Sequence, residues 1–274
     1  MENKKTVPVV KTMLSLFYTR GLYEFFTKTV AAVFSLVYPI LKKLSHNGKD
    51  IKTARGNDAA ALVSGLWVVN HFKRKLEGIC SISSSVHDNC FCKARQKIID
   101  CICKYCYAAA QQSYQTGLKE HNILNGIILR NVLIPVNAFK ALVIIFPYLR
   151  IESFGDVSNV IQARNYIRII KAFPGKRCAI WSKNLLIWEK AFEIEGKPAN
   201  TTFVYSSSKL NVVEKPDLQR FSFIDHIFTV FDKAYAKKHN IVINCGGRKC
   251  LDCIIAGKAC YHRGTEFYIN ELKK

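Results

Sequence analysis

The chain has 274 residues, 49% of them apolar and 12% aromatic, and 41 Lys and Arg against 20 Asp and Glu give a net charge of +21. That apolar content excludes a disordered or fibrous chain, because its burial offsets the entropy lost on folding. The charge predicts attraction to polyanions, nucleic acid first and anionic membrane second, without specifying a fold.

In chain order, residues 1–44 read as an appended helical segment, with apolar residues on a broad stripe and no strand-like alternation. The N-terminus has no apolar core followed by a small-residue cleavage site. Its most membrane-like stretch, Thr29–Leu41, is 13 residues long and interrupted by Pro39, too short to span a bilayer. Lys28, Lys42 and Lys43 bracket it, which suits an interfacial amphipathic helix. Its shortness favours a helix packed on the main domain. The polar run Ser45–Asn57 then reads as a linker, dividing the chain into 1–57 and a cysteine-rich domain over 58–274.

Beyond residue 75, short apolar runs alternate with helix-compatible stretches. Strands are expected within Ala141–Ser153, over Arg177–Ser182, Thr202–Tyr205 and Ile227–Phe231, and briefly over Ile241–Ile243. Helices are expected over 157–173, closed by Pro174 and Gly175, and over 184–195, stopped by Gly196. The alternation predicts an α/β fold, a parallel β/α partial barrel with cysteine-rich metal-binding loops. Several strands end in small or polar residues: Glu152, Ser153 and Asp156, then Ser182, Lys183 and Asn184, then Ser206, Ser207 and Ser208. In a barrel such ends converge on one mouth, where chemistry sits. Polar strand ends equally mark where loops begin, so the pattern alone weighs evenly.

Eleven cysteines are too few for a disulfide scaffold, and ten of them fall in two windows. Such clustering points to metal-bound thiolates in a reducing compartment, and hence to a cytoplasmic location. In the first window Cys103 and Cys106 are two residues apart, a spacing that lets both thiolates reach one ion. Cys92 is the third candidate ligand, with Cys90 and Cys101 spare. Three thiolates leave a coordination position open for catalysis or a cofactor. The second window supplies Cys245, Cys250, Cys253 and Cys260 within 16 residues, enough for a closed metal site, and His262 could replace one of them. Soft thiolates suit zinc or iron–sulfur clusters. Cys178, alone in an apolar run, reads as core.

Phosphate-binding glycine loops and HExxH are absent from the sequence. Asp225, His226 and Asp232 form a conceivable acid–base group, although a histidine beside an apolar run is more often packed. Lys183 and Asn184 could hold an anionic substrate or simply face solvent. Basic residues gather at Lys73–Lys75, 171–177 and 233–238, and Tyr105, Tyr107 and Tyr114 could stack unpaired bases.

The runs Asn89–Arg95, Ile102–Ala108, Arg150–Asp156, Trp181–Asn184, Tyr205–Ser207 and Ile243–Gly246 resemble the phage and mobile-element proteins of the gene product 88 type, across about residues 75–274. That family is in turn similar to radical S-adenosylmethionine enzymes, which are β/α barrels of the TIM-barrel kind. Their Cys-x3-Cys-x-aromatic-Cys loop holds a 4Fe-4S cluster that binds S-adenosylmethionine. Here Cys103-Lys104-Tyr105-Cys106 matches the second half of that loop, while ten residues separate Cys92 from Cys103. The resemblance implies Cys92, Cys103 and Cys106 as ligands of the catalytic cluster, with Ser153 and Ser206 as cofactor-binding residues. It makes Glu152, Asp156 and Lys183 the candidate catalytic residues, acting on nucleic acid or nucleotides. Cys245, Cys250, Cys253 and Cys260 would hold a second metal. The alternative is a non-catalytic, basic nucleic-acid-binding protein with structural zinc at both sites.

Overall fold

The computed structural model describes residues 23–44, 52–246, 249–265 and 267–273. In chain order the helices are α1 (Tyr23–Leu44), α2 (Gly56–Ser64), α3 (Cys90–Gln96), α4 (Tyr107–Tyr114), α5 (Thr116–Asn131), α6 (Val136–Phe139), α7 (Val160–Ala172), α8 (Leu185–Glu195), α9 (Lys233–Lys238) and α10 (Cys250–Ile255). The strands are β1 (Val69–Asn70), β2 (Ile79–Ile82), β3 (Tyr148–Ile151), β4 (Arg177–Ser182), β5 (Thr201–Ser206), β6 (His226–Phe231) and β7 (Tyr268–Leu272).

Local signals set the boundaries. Asn159 caps α7 by accepting from the Gln162 N–H at 2.9 Å, and Asp232 caps α9 through Ala234 N and Tyr235 N. Pro174 follows the last turn of α7, and Gly196 closes α8 at φ 71°, as the sequence predicts.

The seven strands lie side by side in sequence order. Only the β1–β2 pair is antiparallel; every later pair is parallel, so each connection is a crossover. The sheet is open, with β1 and β7 at its two edges, and a closed barrel is not formed. Alternate residues face opposite sides. Cys80, Ile82, Leu149, Ile151, Cys178, Ile180, Phe203 and Ile227 point outward into a core shared with Ile128 of α5, Tyr166 and Ile170 of α7, and Trp188 and Phe192 of α8. Cys178 is core, as expected. The inner face presents Ile79, Ala179, Val204, Phe228 and Ile269. It is covered by the C-terminal cysteine-rich segment through Ile254, Tyr261, Cys250 and Cys260.

Ile241–Ile243 is not a strand. The chain leaves α9 through Asn240 at φ 51°, and the segment after it pairs with β7 largely through side chains. Asn244 accepts from Asn270 N at 2.8 Å, Asn270 donates to the Val242 carbonyl at 3.0 Å, and only Cys245 makes a backbone bridge, opposite Glu271. The edge strand, β7, begins only at Tyr268, beyond α10, and β1 and β2 likewise lie outside the strands expected from the sequence.

Helix α1 continues through Pro39. Val37 and Leu41 are buried against the core, and Gly65 lets the helix approach, since a Cβ there would meet Val37 at 3.0 Å and Ile128 at 3.1 Å. Phe34, Leu36 and Tyr38 stay exposed. Among the described residues no helix is long and apolar enough to cross a membrane. Most of the expected linker, 45–51, lies outside the described residues, as do residues 1–22. Its end joins the fold, where Ala54 is fully buried and its N–H donates to the Leu133 carbonyl at 2.8 Å.

Candidate functional site

The C-terminal ends of β3, β4 and β5 meet in one hydrogen-bonded assembly, which places all the predicted strand-end residues together. Asp156 accepts from Ser182 Oγ at 2.5 Å, from Lys183 N at 2.7 Å and from Val157 N at 2.8 Å. Lys183 Nζ in turn donates to Ser206 Oγ at 2.5 Å and to the carbonyls of Ser206 and Ser207 at 3.3 Å. Ser153 donates its N–H to Ser83 Oγ at 2.9 Å, while its own hydroxyl is sealed from solvent without a partner.

Glu152 turns the chain at φ 57° and sends its carboxyl inward. One oxygen accepts from Ser84 Oγ (2.7 Å), Gln162 Nε2 (3.0 Å) and Tyr166 OH (2.7 Å), and the other from Ser84 N (3.0 Å). Burial raises its pKa to about 7 against these hydrogen bonds, with Asp156 adding to the rise. Asp156 is also raised, by burial first. Glu152 accepts four hydrogen bonds and Asp156 three, so the protein holds both carboxyls in place at the mouth. Gly155 is required between them. A Cβ there would lie 2.6 Å from the Ser84 carbonyl and 2.8 Å from Glu152 Oε2.

The first cysteine segment is tied across this mouth. Asn89 caps α3 by accepting from Cys92 N at 3.2 Å, and its amide donates to the Asp156 carbonyl. Arg95 reaches Ser208 Oγ at 2.6 Å, Ile102 N donates to the Ser208 carbonyl at 2.7 Å, and Tyr107 OH donates to the Ser153 carbonyl at 2.7 Å. Cys92 thereby comes within electrostatic reach of Cys103, Cys106, Asp156 and Glu152, and burial drives its thiol pKa far up. Cys103 is pushed up to about 12 by burial, against the nearby Lys183 ammonium. Of the spare cysteines, Cys90 is exposed and Cys101 is buried.

The second cysteine segment lies over the inner face. Cys250 N donates to the Lys75 carbonyl at 2.8 Å, and the Lys75 ammonium pairs with Glu271 at 2.5 Å and approaches Cys245 Sγ at 3.8 Å. Burial raises the Cys245 and Cys250 thiols, and it raises Cys260 to about 12 despite Arg150 nearby. Gly246, at φ 114°, lets the chain turn directly after Cys245. His262 is committed elsewhere, with Nε2 at 2.9 Å from the Ile254 carbonyl.

Both cysteine sets are chemically suited to a soft metal and each shares one neighbourhood. Among the described residues, however, no three His, Cys, Asp or Glu side chains converge as metal ligands must. The acid–base group suggested by Asp225, His226 and Asp232 is not assembled. Asp225 pairs with Lys197 at 2.5 Å, His226 is fully buried in β6, and Asp232 caps α9 at the far end of that strand. Sequence reasoning missed Ser84, Asn89, Gln162, Tyr166 and Arg150. Asn89 was open to detection as a capping residue three positions before Cys92. The others depend on tertiary pairing. Comparison with protein-family models, with curated proteins and with solved structures gives no match.

Proposed function

We propose that the chain is an iron–sulfur protein of the radical S-adenosylmethionine type, akin to the phage family it resembles, working at the mouth of a partial β/α barrel. One observation carries this reading: the segment bearing Cys92, Cys103 and Cys106 is tied by Asn89, Arg95, Ile102 and Tyr107 to the ends of β3 and β5, beside Lys183 and Ser206. Cys92, Cys103 and Cys106 would hold the cluster, and Cys245, Cys250, Cys253 and Cys260 a second metal. A 4Fe-4S cluster, once bound, supplies one-electron chemistry. The chain's own residues do the rest. Lys183 places positive charge beside Cys103, Asn89 orients the start of the loop, and Ser206 holds the Lys183 ammonium in place. Because burial keeps these thiols protonated, loading must expel protons and will strengthen as pH rises.

A second reading, a basic nucleic-acid-binding protein with structural zinc, is favoured by the exposed Tyr105, Tyr107 and Tyr114. The Lys273 ammonium lies 4.1 Å from the Tyr105 ring centre, a pairing that would suit stacked bases and phosphates. Anaerobic purification with iron, zinc and acid-labile sulfide analysis separates the two. About four irons and four sulfides per chain at the first site, lost in Cys92→Ala with the fold retained, support the iron–sulfur reading. Zinc alone, persisting after reconstitution with iron and sulfide, refutes it.

A further inference from the structure

At the other end of the sheet from the mouth, an exposed apolar patch sits among cations. The loop from β1 to β2 projects Phe72, 58% exposed, followed by the exposed Lys73 and Arg74. Its backbone fixes its shape. Gly78 N donates to the His71 carbonyl at 2.9 Å, Glu77 N donates to the Arg74 carbonyl at 3.1 Å, and Arg74 takes a left-handed φ of 68°. The segment leading into β3 lies against this loop. The Phe72 ring meets the Phe146 ring edge-on at 5.3 Å, and Asn70 joins the two segments, accepting from Ile145 N at 3.4 Å and donating to the Val143 carbonyl at 3.5 Å.

Residues 142–145 alternate as a half-covered extended segment does, with Leu142 and Ile144 buried and Val143 and Ile145 55% and 49% exposed. On such a segment the outward positions are ordinarily polar. Here they are aliphatic, and with Phe72 they form one apolar patch. The charge around it has a single sign. Neither 68–76 nor 132–151 contains an Asp or Glu, and Lys140, three residues before Val143, joins Lys73 and Arg74 at the surface. The nearest acid along the loop, Glu77, is held by Lys249 at 2.9 Å, and the cation that pairs with Glu271 is Lys75.

We propose that this patch seats the protein on an anionic bilayer surface, with Phe72, Val143 and Ile145 entering the headgroup region and Lys73, Arg74 and Lys140 facing the lipid anions. A bilayer interface matches both properties of the patch, since it takes apolar side chains to a shallow depth and attracts each nearby Lys or Arg. Aliphatic side chains offer no π-face to a base, which disfavours nucleic acid here. A second copy seated by twofold symmetry would bring the same cations against one another. No spanning helix is required. Because β2 and the strands after it run parallel, the mouth lies at the opposite ends of the strands and stays open while the patch is seated. The proposal stands independently of any metal at the cysteines.

The test measures partition of the full chain onto phosphatidylcholine vesicles, with and without phosphatidylserine, by sedimentation at moderate salt. Binding is expected only where phosphatidylserine is present. Lys73→Gln combined with Arg74→Gln should weaken it about 25-fold, at about fivefold per cation. Phe72→Ser should weaken it about 5- to 10-fold, from the burial of roughly half of that side chain. Lys237→Gln combined with Lys238→Gln removes the same charge from α9 and should change it by about twofold at most. All five side chains are exposed, so the fold should survive, and if Phe72→Ser misfolds the two charge pairs decide alone. No binding to phosphatidylserine vesicles overturns the proposal. So does an equal loss from both charge pairs, which would reduce the effect to overall charge. Parental affinity in Phe72→Ser overturns it as well, and a loss found instead in Tyr38→Ser assigns the contact to α1. Binding of a single-stranded oligonucleotide that needs Lys73 and Arg74, with vesicles left unbound, makes nucleic acid the partner and overturns it too.

Discussion

The protonation state of Glu152 links the mouth of the sheet to the stability of the whole domain. Its carboxyl is 3% exposed and faces four donors, from Ser84 (twice), Gln162 and Tyr166, with the Asp156 carboxylate also near. Burial outweighs those donors and raises its pKa from the ordinary 4.5 to about 7. A raised folded-state value means that the fold prefers the protonated acid. The stability it contributes is therefore full below pH 4.5 and is lost as pH rises through 7. At about 1.4 kcal/mol per pH unit, the loss between pH 5 and pH 8 is about 2.5 kcal/mol. Glu152→Gln keeps the shape but cannot ionise. Its amide would face the Ser84 N–H, leaving one donor unmatched at about 1–3 kcal/mol independent of pH. Urea unfolding of both proteins from pH 5 to pH 8.5 at fixed ionic strength isolates the effect. The advantage of the wild type over Glu152→Gln should shrink by about 2.5 kcal/mol across that range, most of it below pH 7. Parallel curves would refute the reasoning and show that the four donors hold the carboxylate ionised.

Gly155→Ala drives a Cβ onto the Ser84 carbonyl at 2.6 Å, and thermal melting should show a loss of about 3 kcal/mol; an unchanged melting temperature would mean that the β3 turn is pliable. Asn89→Ala removes the cap on Cys92 N and the tie to Asp156, costing about 1–2 kcal/mol and exposing Cys92 to faster alkylation, read by mass spectrometry. Glu195 gathers Arg164 at 2.9 Å, Arg168 at 2.8 Å and Lys171 at 3.6 Å where α7 packs on α8. Glu195→Gln should cost about 2 kcal/mol in urea unfolding at low salt and less at high salt, because it leaves three cations facing one another.

Strands β3 to β6 were legible because each is a short apolar run followed by polar residues, and the helices α7 and α8 because proline and glycine mark their ends. The meeting of Glu152, Asp156, Lys183 and Ser206 follows from that order, since parallel strands in sequence order put all their C-terminal ends on one side. What the sequence conceals is how committed those groups are. Ser84 lies 68 positions before Glu152, and no local pattern announces that its N–H and hydroxyl occupy the carboxylate. Ile241–Ile243 misled because three β-branched and aliphatic residues read as a strand. The asparagines that follow instead fasten the segment to β7. Arg150 was hidden by its own strand, where an arginine between leucine and isoleucine reads as the solvent side of an alternating pattern. The cover over the inner face comes from residues 100 and more positions away.

An open parallel sheet exposes two rims to which another polypeptide could hydrogen-bond. Here neither rim offers a usable ladder. On one side β1 contributes only two residues and runs antiparallel to β2, too short a template for strand addition. On the other, the Asn244 side chain and the Cys245 bridge occupy backbone groups of β7 that an incoming strand would need. The unclosed sheet thus offers little template for strand addition at either edge, because Asn244 takes up β7 backbone groups as a neighbouring strand would.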